Sequence, residues 1–299
     1  MAVLTILPQV EAKPYVEALY EGLKELGWVE GRNLIIDVRY SDGDAAQIRT
    51  LTTELLMFKP DVFFSATDIA SRAAAESADP PPIVFAIGND PVGSGLVKSL
   101  AHPGIRATGY SIQTYELSSK RLALLKEAVP TLNKVGLLVY REGQPGTQLA
   151  VLQYSEAAEA LGIGLLRIRV DTPEELELAF ENMAKQGIHW FLMVANAWFI
   201  QGPRLQQLDS LALKYRSATC AFATMFADTG QLMSYSTDYF ALFRRSAGLI
   251  DRILKGADPA NIPIEQASTY ELVLNHRTAR TIGVTFPNSL LLQATRVIE

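Results

Sequence analysis

Short apolar runs alternate with amphipathic stretches along the whole 299-residue chain, the pattern that βαβ units and parallel sheets produce. In the first half, strand "VLTIL" leads to helix "YVEALYEGLKELG", closed by Gly27. Strand "NLIIDVRY" leads to helix "AAQIRTLTTELLMFK", stopped by Pro60. Strand "DVFFSAT" then precedes helix "IASRAAAESA", and strand "IVFAIG" runs into a glycine-rich loop with a predicted helix "GLVKSLA" after it. The second half repeats the recipe. Strand "KVGLLVY" is followed by helix "QLAVLQYSEAAEALG", strand "LLRIRV", helix "PEELELAFENMAKQG", strand "HWFLMVAN", helix "PRLQQLDSLALKYR" and strand "TCAFAT". The same element order twice predicts an α/β protein of two Rossmann-like lobes.

Three further segments, "RATGYSIQT", "GQLMSYSTDYF" and "EQASTYELVLN", are extended, mixed in polarity and poorly matched to either lobe's core. They predict a three-segment hinge with crossings near 106–114, 231–238 and 265–275. The N-terminal lobe would hold 1–109 plus about 237–265, and the C-terminal lobe 110–236 plus about 266–299. A ligand cleft between the lobes would be walled by strand carboxyl ends, where open α/β sheets bind.

The loop Gly88-Asn89-Asp90-Pro91-Val92-Gly93-Ser94-Gly95 is the first candidate for chemistry. Its glycines have phosphate-loop spacing, but Ser94-Gly95 stands where Lys-Ser/Thr is required, and Asp90 would repel phosphate. The dinucleotide fingerprint lacks its third glycine. Ser94 has no G-x-S-x-G frame, so nucleophilic catalysis is not supported either. A two-cysteine racemase is excluded because Cys220 is the only cysteine; in "ATCAFATM" it reads as a core residue. His102, His189 and His276 are far apart and none has a metal-spaced neighbour. No catalytic constellation, metal site or cofactor is implied.

Carrying a ligand remains. Asp90 at a strand end suits a ligand ammonium, or serves as a turn residue before Pro91 that caps its own backbone; Asn89 stands beside it. Ser65, Ala66 and Thr67 precede a helix whose hydroxyl and free N–H groups could hold a carboxylate. Thr67 and Asp68 equally suit plain helix capping. The second lobe offers Asn196, Trp198 and Phe199 after a strand, where aromatics lie over a cleft or pack the neighbouring helix. Weaker candidates are Thr224 and Met225, Tyr235 to Asp238, Gln9 and Glu11 after the first strand, and Arg141, Glu142 and Gln144 after "KVGLLVY". Trp28 and Trp190 fall at strand starts and read as core or surface.

The net charge of −5, with acidic and basic residues intermixed, argues against a nucleic-acid partner. No run of 18 apolar residues is present to span a bilayer. The first 20 residues lack a basic n-region and a small-residue cleavage site, so they read as a first strand and not as a leader.

The stretches "IVFAIGNDPVGSGLVKSLAHPG", "ELGWVEGRNLIIDVRYSDGD", "ELSSKRLALLKEAVP" and "GQLMSYSTDYFALFRRSAGLIDRILKGADPANIPIEQASTYELVLN" resemble the ABC-transporter substrate-binding family, which includes tryptophan- and phenylalanine-binding lipoproteins. The resemblance covers nearly the whole chain, and its Asp-Pro-Val-Gly-Ser-Gly-Leu-Val and Gly-x-Leu-Met-Ser-Tyr motifs are fairly specific. It implies the type I periplasmic-binding-protein-like fold, an extracytoplasmic or periplasmic location with the leader removed, and partnership with a membrane permease and its ATPase. It carries over Asp90 and Thr67 as ligand contacts. "YREGQPGT" departs from the shorter Asn-Pro turn common in the family, which leaves the ligand open. The expected function is a monomeric solute-binding protein closing on a small zwitterion, an amino acid of aromatic or branched type. The alternative is a ligand-sensing or small-molecule enzyme domain on the same fold.

Overall fold

The structure, a computed structural model, describes residues 1–299 apart from 43, 113 and 144 and the side chains at 45 and 145. The chain begins β1 (Ala2–Thr5), α1 (Gln9–Glu25), β2 (Asp37–Tyr40), α2 (Ala45–Met57), β3 (Phe63–Ser65), α3 (Asp68–Ala75), β4 (Ile83–Gly88) and β5 (Ala107–Ser111). It continues through α4 (Leu117–Ala128), β6 (Lys134–Val139), α5 (Pro145–Ala160), β7 (Gly164–Arg169), α6 (Pro173–Lys185), β8 (Trp190–Met193), α7 (Ala197–Ile200) and α8 (Gly202–Lys214). Then follow β9 (Ala218–Ala221), α9 (Thr224–Thr229), β10 (Met233–Thr237), α10 (Tyr239–Leu254), β11 (Glu265–Gln266), β12 (Tyr270–Asn275), α11 (His276–Ile282), α12 (Asn288–Gln293) and β13 (Arg296–Ile298). These form two compact units: Met1–Gln113 with Asp238–Thr269, and Thr114–Thr237 with Tyr270–Glu299. No described helix is long and apolar enough to cross a membrane.

Unit 1 is built on a six-stranded sheet of order β11-β5-β4-β3-β1-β2, parallel throughout. Register explains its two cores. Val3, Phe64 and Val84 pair across the sheet and pack with α1 and α10, while Ala2, Phe63 and Ile83 pair one step back and pack with α2 and α3. Side chains alternate between faces along a strand, and both faces are covered, so the strands read as continuous apolar runs. Helices α1 and α10 cross closely at Gly22, where a Cβ would stand 2.5 Å from the Arg244 carbonyl oxygen and 2.9 Å from Ala247 Cβ.

Unit 2 carries a seven-stranded sheet of order β13-β12-β10-β9-β8-β6-β7, in which, among the described residues, only β10–β12 pairs antiparallel. Arg121 of α4 is among its largest wholly buried side chains. Its Nε donates to the Tyr235 carbonyl at 2.8 Å and its Nη1 to that of Thr114 at 3.1 Å.

The three segments read as extended are strands, but they match the cores better than expected: "RATGYSIQT" is β5, wholly buried between β4 and β11, and the other two hold β10, β11 and β12. Their small polar residues can be buried because they are satisfied or need the room. Thr108 Oγ1 donates to the Ile262 carbonyl at 3.0 Å, and a Cβ on Gly109 would meet Phe85 Cδ2 at 2.7 Å. The helix predicted over "GLVKSLA" does not form. Turn bonds from Gly95 N–H to Val92 O, Val97 N–H to Pro91 O and Lys98 N–H to Pro103 O replace it, with Gly95 at φ +74°, while Leu96 and Val97 plug the core.

Candidate functional site

In both units the first strand of the repeat lies between the second and the third: β2-β1-β3 in unit 1 and β7-β6-β8 in unit 2. The loops that leave such a pair of central strands run to opposite faces of the sheet, which opens a crevice at their carboxyl ends, and ligands bind there. The loops after β1 and β3, and after β6 and β8, are therefore the places to look.

At the unit 1 switch point, Thr67 caps α3: its Oγ1 accepts from the N–H groups of Ile69 (3.1 Å) and Ala70 (3.3 Å). Ser65 is wholly buried; its Oγ donates to the Thr67 carbonyl at 2.7 Å and accepts from the Thr67 N–H at 3.2 Å. The Ala66 N–H is spent on Leu4 O. The backbone donors expected to hold a ligand carboxylate are thus engaged in the turn's own bonds.

The charge of this edge is acidic. Asp68 Oδ2 accepts from the Asn89 N–H at 3.3 Å and from Asn89 Nδ2 at 3.1 Å, while its buried Oδ1 has no partner among the described residues. Burial, first of all, pushes the Asp68 carboxyl above the ordinary carboxylate range; the charge of Asp90 adds to this, and the Asn89 bonds and Arg72 oppose it. Asp90 itself is exposed, and its Oδ1 accepts from the Gly93 N–H at 2.7 Å, which makes it the cap of its own turn. The β4–β5 register shifts between Phe85 and Gly88, just before this loop. Gln9 opens α1 as an exposed residue. Two residues on, Glu11 has a buried Oε2 without a partner among the described residues, and burial raises its carboxyl too.

At the unit 2 switch point, Tyr140 follows β6 and Trp198 follows β8. Their rings stack at 4.5 Å and 7°, and the Arg204 guanidinium lies over the indole at 4.7 Å. Arg141 sits 5.3 Å over the outer ring of Tyr140, completing a guanidinium–phenol–indole–guanidinium stack of the kind cation–π attraction holds together. Arg204 Nε is buried and unpartnered among the described residues. Asn196 positions the indole by capping α7, its Oδ1 accepting from the Trp198 N–H at 2.9 Å. Tyr140 and Arg204 escaped the sequence reading as site residues, although Tyr140 directly follows the strand beside the one Trp198 follows.

The remaining candidates fall elsewhere. Phe199 is wholly buried core. Glu142 is ion-paired to Arg167, and Gln144 lies outside the described residues. Thr224 opens α9 at the end of β9, and Met225 packs on the core. Tyr235, within β10, stands 5.8 Å from Tyr270, and burial raises its phenol. Asp238 caps α10 through the Ala241 N–H. Trp28 donates to Asp251 at 2.9 Å as it packs the unit 1 core, and Trp190 starts β8 half-buried. Cys220 is a free, buried thiol.

The family model described as ABC transporter substrate binding protein matches residues 1–298. A curated relative, the tyrosine-binding protein of Clostridioides difficile, is 22% identical over 264 residues, covering 88% of this chain and 75% of the relative. Among solved structures, an ABC domain in complex with L-Trp from Streptococcus pneumoniae superposes with a TM-score of 0.85 at 24% identity, over 99% of this chain and 98% of that one. A conserved domain protein from Vibrio cholerae gives 0.84 at 24%, with the same coverage.

Proposed function

The chain belongs to the ABC transporter substrate-binding protein family, and on that premise we propose that its ligand is an aromatic α-amino acid. The fold is that of the type I periplasmic binding proteins. Members of the family work outside the cytoplasm, take up a small solute and serve an ABC importer; binding, and not catalysis, is the family's activity.

Each unit, taken by itself, supports the choice of ligand. The switch point of unit 1 presents Asp68 and Glu11, half-buried carboxyls that each keep one buried acceptor atom to spare among the described residues, which suit an ammonium. That of unit 2 presents the Tyr140–Trp198–Arg204 stack with a spare guanidinium N–H, which suits an aromatic ring and a carboxylate. The L-Trp and tyrosine named for the two relatives agree with this reading. We further propose that the protein acts as a monomer in the periplasm or its equivalent.

Thermal unfolding against amino acids, sugars and inositol tests the assignment. A ligand at 100 times its Kd stabilises by about 2.7 kcal/mol, a rise of roughly 5–11 °C in domains of this size. L-Tryptophan, L-tyrosine or L-phenylalanine should give such a rise and L-aspartate none. A rise with sugars alone would overturn the proposal.

A further inference from the structure

Arg121 of α4 is 1% exposed. A guanidinium is costly to bury unless acceptors meet its N–H groups, so the acceptors it has gathered show what its place secures. Two are backbone carbonyls far apart in sequence: Nε donates to Tyr235 O at 2.8 Å and Nη1 to Thr114 O at 3.1 Å. Both belong to segments that lead from one unit to the other. The chain makes that passage just before Thr114, just after Thr237 and just before Tyr270. The last two are fastened to each other by the β10–β12 ladder, in which Tyr235 pairs with Leu272 and Thr237 with Tyr270. Arg121 adds the first. The unit 2 ends of all three crossings therefore meet at one buried charge.

A third neighbour leads to the aromatic stack. Beside the guanidinium lies the wholly buried phenol of Tyr154, from α5; burial raises its pKa, and the charge and hydrogen bond of Arg121 oppose the rise. Tyr154 Oη donates in turn to Met193 O at 3.4 Å. Met193 ends β8, and the loop that follows holds Asn196 and the Trp198 N–H it caps. In such a buried network, a member that moves leaves its neighbour's polar group unmet at low dielectric, so the network holds one arrangement.

We propose that Arg121 is a positioning residue for ligand capture: from one buried point it fastens the crossing segments and, through Tyr154, the end of β8 that carries the Trp198 stack. Binding at the stack and bending at the crossings then draw on the same hydrogen bonds, so each biases the other. The ligand side of this inference rests on the proposed function; the network stands within unit 2 alone.

Hydrogen–deuterium exchange of the ligand-free full chain, followed by calorimetric titration with L-tryptophan, tests it on Arg121→Lys, Tyr154→Phe and a control. The control, Leu176→Ala, truncates the other core cluster of unit 2. Far-UV circular dichroism confirms that each variant is folded. Lysine keeps the charge but lacks the planar fork that reaches several acceptors at once. Arg121→Lys should speed exchange about tenfold, the worth of one hydrogen bond, at 114–118 and 233–237. It should do the same at 194–198, which Arg121 reaches only through Tyr154. Tyr154→Phe should speed exchange at 194–198. Both should weaken L-tryptophan about tenfold, and Leu176→Ala should leave its affinity unchanged. Wild-type exchange at 194–198 in Arg121→Lys overturns the inference. So does acceleration spread evenly over unit 2, which marks a residue that only stabilises the core, or unchanged L-tryptophan affinity in both network variants. Should Arg121→Lys fail to fold, Tyr154→Phe decides by the same two readouts. If the wild type binds none of L-tryptophan, L-tyrosine and L-phenylalanine, the proposed function falls, while the exchange rates still decide the network.

Discussion

Asp68→Asn should make the ligand-free protein more stable at neutral pH, because the carboxyl it replaces is held at a loss. In the wild type Oδ1 is buried without a partner, and burial raises the pKa above the ordinary 3.8. A carboxyl whose folded pKa exceeds its unfolded one binds its proton more tightly in the native state. Ionisation therefore subtracts stability: nothing below the unfolded value, progressively more up to the raised folded value, and a constant amount above it. A buried, unsatisfied polar atom costs about 1–3 kcal/mol. The amide keeps an acceptor for Asn89 but leaves a neutral donor unpaired, so the net gain should be about 1 kcal/mol, or roughly 2–4 °C in melting temperature. Scanning fluorimetry of both proteins from pH 3.5 to 8 reads this directly. The curves should coincide at the acid end and separate as pH rises, with the variant above. A variant that melts lower at pH 7 than the wild type, by more than at pH 4, would show that the carboxylate stabilises the fold and would refute the reasoning.

Three other outcomes follow from the packing. Gly22→Leu should lower the denaturant midpoint by the equivalent of about 1–3 kcal/mol, since any Cβ there collides with the backbone of α10; an unchanged midpoint would mean that the helices can separate freely. Arg121→Met should cost about 3 kcal/mol in the same assay, because it leaves the buried Thr114 and Tyr235 carbonyls without their donor. Cys220, its thiol pushed up to about 12 by burial, should not react with a thiol reagent at pH 8 until denaturant unfolds unit 2; rapid native labelling would contradict the buried placement.

Much of the architecture could be read from the chain because its information is local. Gly27 and Pro60 end α1 and α2 close to the predicted places, and runs such as "IVFAIG" and "KVGLLVY" become strands buried on both faces. Thr67 was legible as a cap from its type and position before a helical pattern. "GLVKSLA" misled because its apolar residues have helical spacing, yet they fill the core from successive turns. "RATGYSIQT" reads as extended but poorly matched to a core because of its glycine and hydroxyl residues, while the space under Phe85 and the Ile262 carbonyl let it lie wholly buried within the sheet.

The sequence by itself determined the kinds of chemistry available: acids and amides after the strands of the first half, aromatics and arginines after those of the second, and the repeated βα order that brings them to strand ends. Only the tertiary structure decided which of these groups are spent and which are spare. Asp90 and Asp68 are both acids following strands, but one is exposed and bonded to Gly93, while the other is half-buried with one buried oxygen left over among the described residues. Trp198 found Tyr140 because β6 and β8 are neighbours, although 57 residues separate the two in sequence. The reason is physical: periodicity and caps act over a few residues, whereas desolvation and hydrogen-bond satisfaction depend on every segment that the fold brings alongside.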